Sequence, residues 1–156
     1  MAVGNFQVYQ DVPLRLADGT FDLNTNSFKA ILVSAASNAL TLTNSVLADI
    51  NNELATGNGY TAGGIDLTSV TFTASGGVAA FDADNLVWTP SGGDIEAKAV
   101  VIHADGTLNS LVNPLLLVAD LNTDSSGATV TRSPGDVLQV IINAAGMLRV
   151  GPGTLA

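Results

Sequence analysis

The feature that most constrains this chain is its punctuation. From Tyr60 onward, short apolar or alternating runs are broken by turn residues before any of them is long enough for a helix of ordinary length. Val70, Phe72 and Ala74 alternate with Thr71 and Thr73, and Gly76-Gly77 follows. Leu86-Val-Trp88 is closed by Pro90 and Gly92-Gly93. Ile95, Ala97, Ala99 and Val101 alternate with Glu96 and Lys98, then Val100 and Ile102 make both faces apolar before Asp105-Gly106 turns the chain. Leu115 to Val118 and Val137 to Ile142 read as further strands. Upstream, Phe28 to Ser34 has apolar residues on both faces, which requires cover on both sides of its sheet. Six to eight strands without repeated crossover helices predict a mainly β fold, an antiparallel β-sandwich or small barrel with one short α-helix.

The helix is expected from Asn44 to Ala55. Thr43 or Asn44 can cap it, Val46, Leu47, Ile50 and Leu54 fall on one stripe, and Gly57-Asn-Gly59 supplies a stop. Before Phe28, the run from Phe6 to Val12 alternates briefly and is interrupted by Pro13 and Ala17-Asp-Gly-Thr20. Residues 1–27 are therefore read as an N-terminal arm or edge strand, and residues 28–156 as a single β-rich domain.

Charge narrows the partner classes. Fourteen acidic residues against five basic ones give a net charge of −9, whereas nucleic acid and anionic membrane surfaces require a cationic patch. Neither is an expected partner. With 47% hydrophobic and 12% charged residues, the chain is too apolar for an acidic disordered segment and is expected to fold or assemble. Met1 to Gln10 has no positive run or apolar core of a signal peptide, and Pro114 to Ala119 is too short to span a bilayer.

Chemistry is thinly represented. Without cysteine there is no thiol nucleophile or sulfur-ligated zinc. The lone histidine, His103, lacks a recognisable nucleophile motif and reads as a surface or rim residue near a turn. Asp120-Leu-Asn122-Thr-Asp124 begins like a calcium loop, yet its glycine comes two places late and Thr131 replaces the bidentate glutamate, so a solvated turn is the default. Asp82-Ala-Asp84 is read the same way. Glu53 and Glu96 are the only glutamates, and Trp88, Tyr9 and Tyr60 offer little for a sugar-stacking cleft. Gly57 to Gly64 lacks the lysine of a phosphate-binding loop and reads as a compact turn around Tyr60. No catalytic, cofactor or metal residues are assigned, and the expectation is a non-enzymatic protein.

The order Phe28-Lys-Ala-Ile-Leu, Leu47-Ala-Asp-Ile50, Gly59-Tyr-Thr-Ala-Gly-Gly64, Val87-Trp-Thr89 and Ile95-Glu-Ala-Lys-Ala-Val-Val-Ile-His103 resembles small structural proteins encoded in tailed-bacteriophage virion gene clusters. The resemblance covers Phe28 to Asp105, about half the chain. It implies a virion location, and a capsid decoration (cement) protein on the outer capsid surface is favoured, bound across major capsid protein subunits as a dimer or trimer. A head–tail connector, a tail component, or a tail-located glycan or receptor-binding module are the alternatives. In the cement reading the segment from Ala2 to Val12 adds a strand to a neighbour, with Phe6, Val8 and Tyr9 as partner-binding residues.

Overall fold

The computed structural model describes residues 5–122 and 128–152. The protein is mainly β, with several antiparallel sheets and one short helix.

Three strands form the centre: β2 (Phe28–Val33), β8 (Ala99–Ala104) and β11 (Leu115–Asp120). They are flanked by β1 (Gln7–Val8) and β3 (Ile65–Asp66) in a five-stranded sheet of order β1-β11-β8-β2-β3, every pairing antiparallel. β8 pairs residue for residue with β2, Phe28 opposite Ala104 and Val33 opposite Ala99. This register puts Phe28, Ala30 and Leu32 with Ala104, Ile102 and Val100 on one face. Ile31 and Val33 share the other with Val101 and Ala99. Apart from half-buried Lys29, every residue of β2 and β8 is buried, which is why these strands read as continuous apolar runs.

A separate three-stranded sheet has the order β14-β5-β4, built from β4 (Thr71–Ser75), β5 (Val78–Asp82) and β14 (Leu148–Val150). The rings of Phe28 in β2 and Phe81 in β5 meet edge to face, with centroids 5.1 Å apart and planes at 66°. Three two-stranded pairs complete the β structure: β6 (Leu86–Trp88) with β13 (Leu138–Val140), β7 (Ile95–Ala97) with β12 (Val130–Arg132), and β9 (Thr107–Leu108) with β10 (Leu111–Val112). No pairing closes a sheet on itself among the described residues.

The helix is elsewhere than its expected place. Between Asn44 and Ala55 the structure has only a single 3-10 turn, Leu47–Asp49. Tertiary pairing overrides the apolar periodicity there. Leu47 N–H donates to the Asn113 carbonyl, Leu115 N–H to Ser45 and Leu54 N–H to Leu32, and Asn52 adopts φ +56°. Asp49 turns its carboxylate back onto the amides of Ser45 and Val46, at 2.9 and 3.0 Å, as short polar side chains do when they compete with helix. The observed helix, α1, is Val12–Ala17. Pro13 starts it, because a first-turn proline gives up only an amide that has no helical partner.

The segment before Phe28 shares the main core. Tyr9, Val12, Phe21 and Leu23 belong to the same buried cluster as β2, β8 and β11.

Candidate functional site

Of the polar residues singled out from the sequence, Glu53 and Tyr60 are brought together, and the Glu53 carboxylate also acts electrostatically on His103. His103 is 2% exposed, which corrects the expected rim position. Its strand is covered on both faces, so nearness to the Asp105 turn does not bring it to the surface. Its Nδ1 donates to the Ala104 carbonyl at 2.8 Å, and buried Nε2 has no partner. Burial holds its pKa below the usual histidine value. Burial and an Nε2 without a hydrogen-bond partner give it the surroundings of a core residue.

Glu53 and Tyr60 form a second, structural cluster. The Tyr60 hydroxyl donates to Glu53 Oε1 at 2.7 Å and accepts from the Leu32 amide at 3.2 Å, while Gly63 N–H donates to the same carboxylate oxygen at 2.5 Å. Burial first, then the Glu53 carboxylate, pushes the phenol well above its usual pKa. Glu96 accepts from the Thr129 hydroxyl at 2.6 Å. Asp84 accepts from the Thr68 and Ser69 hydroxyls, which hold its carboxyl below the usual range. Asp82 Oδ1 caps the Ala83 amide. Of the suggested calcium loop, residues 123–127, including Asp124, lie outside the described residues; Asp120 Oδ1 accepts from the Asn122 amide. No grouping of three or more metal-ligating side chains occurs among the described residues, and no described helix is long and apolar enough to cross a membrane. Trp88 is buried, as its alternating strand predicts.

A surface for contacts is better formed. α1 turns Val12 and Leu16 toward β14, and between them runs a groove of about 580 Å³. Its walls are Val8, Val12, Pro13, Leu16 and Ala17 on one side and Leu148 to Gly151 on the other. A second hollow of about 440 Å³ shares Leu16 and Val150 with it and continues past Phe21, Leu23 and Phe72. Leu14, 68% exposed, stands on the same helix.

A buried cation fixes the helix that makes this wall. Arg15, 6% exposed, donates to the Ser45 carbonyl at 2.8 Å and to Asp11 Oδ2 at 3.1 Å, and also reaches Ser45 Oγ. Ser45 Oγ in turn donates to Asp11 at 2.8 Å. The guanidinium thus ties a six-residue helix, too short to be stable alone, to the loop whose Ser45 carbonyl also accepts from the Leu115 amide of β11.

Of the three partner-binding residues expected from the sequence, Val8 is the one lining this groove. Phe6 is half-buried against the core. Tyr9 is 1% exposed, with its hydroxyl donating to the Ala39 carbonyl at 2.8 Å. β1 itself pairs with β11 of its own chain, Gln7 opposite Val118 and Val8 opposite Leu117. The contribution of Leu148 and Val150 escaped the sequence reading. Its only signal was an apolar-Arg-apolar alternation near the C-terminal end.

Compared with known proteins, the chain matches no family model, no curated protein and no solved structure.

Proposed function

We propose that this chain is a non-enzymatic structural protein of a tailed-bacteriophage virion, which decorates and stabilises the capsid by binding across major capsid protein subunits. The observation that carries the reading is the apolar groove between α1 and β14, bordered by two strands that each end their sheet, β1 and β14. Terminal strands offer unpaired main-chain groups to a neighbour, and an apolar trough beside them supplies the contact area such binding requires. Exposed Leu14, Val87, Val112, Val137 and Ile141 add apolar contact points elsewhere. The resemblance over Phe28 to Asp105 supplies the virion context.

In this reading, the layers meeting at Phe28 and Phe81 form an antiparallel sandwich that serves as a rigid block. The net charge of −9 suits an outer capsid surface facing away from packaged DNA. Contact area spread across subunit boundaries resists internal pressure.

Electron microscopy of purified virions after gold-labelling this protein tests the proposal. Label spread over the head in many copies is the expected result. Label confined to the neck or tail overturns the decoration role in favour of a connector or tail component, and its absence from virions overturns the virion reading altogether.

A further inference from the structure

We infer that the groove between α1 and β14 is a docking site for an extended segment of a partner protein, apolar at alternate positions with a carboxylate between them. The inference deepens the assembly reading above and rests on it for the kind of partner.

Three observations converge. First, β14 is the terminal strand of its sheet and pairs only with β5, Leu148 opposite Phe81, Arg149 opposite Ala80 and Val150 opposite Ala79. Its other edge carries no strand among the described residues. A segment laid along that edge gains main-chain hydrogen bonds of the kind that drive strand addition.

Second, the register sorts the side chains. Leu148 and Val150 share the face of Phe81, the ring that points across to Phe28 in the main sheet. Arg149 lies on the opposite face of the strand. A strand added beside β14 therefore turns alternate residues into the apolar trough beside exposed Pro13 and half-buried Leu16, and presents the residue between them next to Arg149.

Third, Arg149 is an uncommitted cation in an acidic protein. Arg15 is paired with Asp11 and Lys29 with Asp66, and Lys98 reaches the Ala35 carbonyl. Exposed Arg149 has neither an ion pair nor a side-chain hydrogen bond among the described residues. It stands at the groove's rim, on the outer face of β14, so charge complementarity selects an acidic residue at the outward-facing position of an added strand. A second copy of this chain would bring another charge of −9 with it, which favours a different protein as the occupant.

The test uses the full chain and a fluorescein-labelled peptide, Thr-Val-Thr-Val-Glu-Val-Thr-Val-Thr, titrated by fluorescence anisotropy. Expected are saturable binding, binding weaker by about fivefold when the central Glu is replaced by Lys, and reversal of that preference in Arg149→Glu. The side chain at 149 is exposed, and circular dichroism of the variant checks that the fold is kept. No saturable binding, or binding blind to both charge changes, overturns the inference. Self-association of the wild type, seen by analytical ultracentrifugation and abolished by Arg149→Glu, also overturns it by making a second copy the occupant. Virion labelling is an independent readout: a decorated head with a peptide-blind groove sinks the docking site alone, whereas charge-selective peptide binding by a protein missing from virions sinks the assembly reading.

Discussion

Tyr60 and Glu53 are joined by a hydrogen bond of 2.7 Å that lies against the side of β2, where the Tyr60 oxygen also takes the Leu32 amide. β3 pairs with β2 only at Lys29 and Ala30, so beyond Ala30 the strand needs other partners. The phenol and the Leu54 amide, which donates to the Leu32 carbonyl, supply them. A tyrosine side chain thereby completes the edge of a central strand.

Replacing Tyr60 by Phe removes that hydroxyl and leaves the buried Leu32 amide without its acceptor. The expected cost is about 1–3 kcal/mol, read as a lower urea midpoint with an unchanged slope. A midpoint equal to wild type would show that the hydroxyl does not support β2.

Gly64 and Gly63 form a matched pair. Both have positive φ, +74° and +92°, but a Cβ at Gly64 would stand 2.0 Å from the Ala30 carbonyl oxygen and 2.9 Å from Ile31 Cγ2, whereas one at Gly63 meets nothing within 4 Å. Gly63→Ala should cost only about 1–2 kcal/mol for its left-handed backbone. Gly64→Ala must also displace the strand at the centre of the core, and should cost at least about 3 kcal/mol or prevent folding. Equal thermal midpoints for the two variants would contradict the close approach.

Phe28 of the five-stranded sheet and Phe81 of the three-stranded one are in edge-to-face contact. Either one changed to Ala should destabilise by about 3–5 kcal/mol through lost burial and the cavity left behind. The double variant should cost less than the sum, because the ring contact is lost only once. Additivity in a denaturation cycle would mean that the contact contributes nothing of its own.

His103 predicts acid sensitivity. Its pKa is lowered by burial in the folded state, while the unfolded chain titrates near about 6.5. Between the two values the unfolded state binds more protons, so stability is full above about 6.5 and falls as pH drops toward the folded pKa. It is the only histidine, and Asp18, Asp22, Asp49 and Asp84, all lowered by hydrogen bonds, lose their contributions in more acidic conditions. Urea midpoints measured from pH 7.5 to 5 should decline in wild type and stay nearly flat in His103→Leu over the upper part of that range. Parallel curves would exclude His103 as the cause.

Truncating the first twelve residues is a poor probe of partner binding, since it takes Tyr9 and Val12 out of the core. Point changes at Arg149 reach the groove without that damage.

β3, β5, β9, β10, β12 and β14 were not legible in the local sequence, whereas it was sufficient to mark β2, β4, β6, β8, β11 and β13. Turn residues at Gly76-Gly77 and Asp105-Gly106 delimit them, and apolar character on both faces marks β2, β8 and β11 as central, because period-2 alternation and turn chemistry depend on a few neighbouring residues. Tertiary structure decided the rest. The stripe of Val46, Leu47, Ile50 and Leu54 fits a helix locally, but Leu47, Ile50 and Leu54 are half-buried against the core from a loop whose amides bond to distant strands. His103 lies beside a turn in sequence, yet becomes buried once both faces of its sheet are covered. The groove required Val8, α1 and β14 to come together from opposite ends of the chain. No periodicity spans that separation; the tertiary fold alone brings β14 beside Leu16.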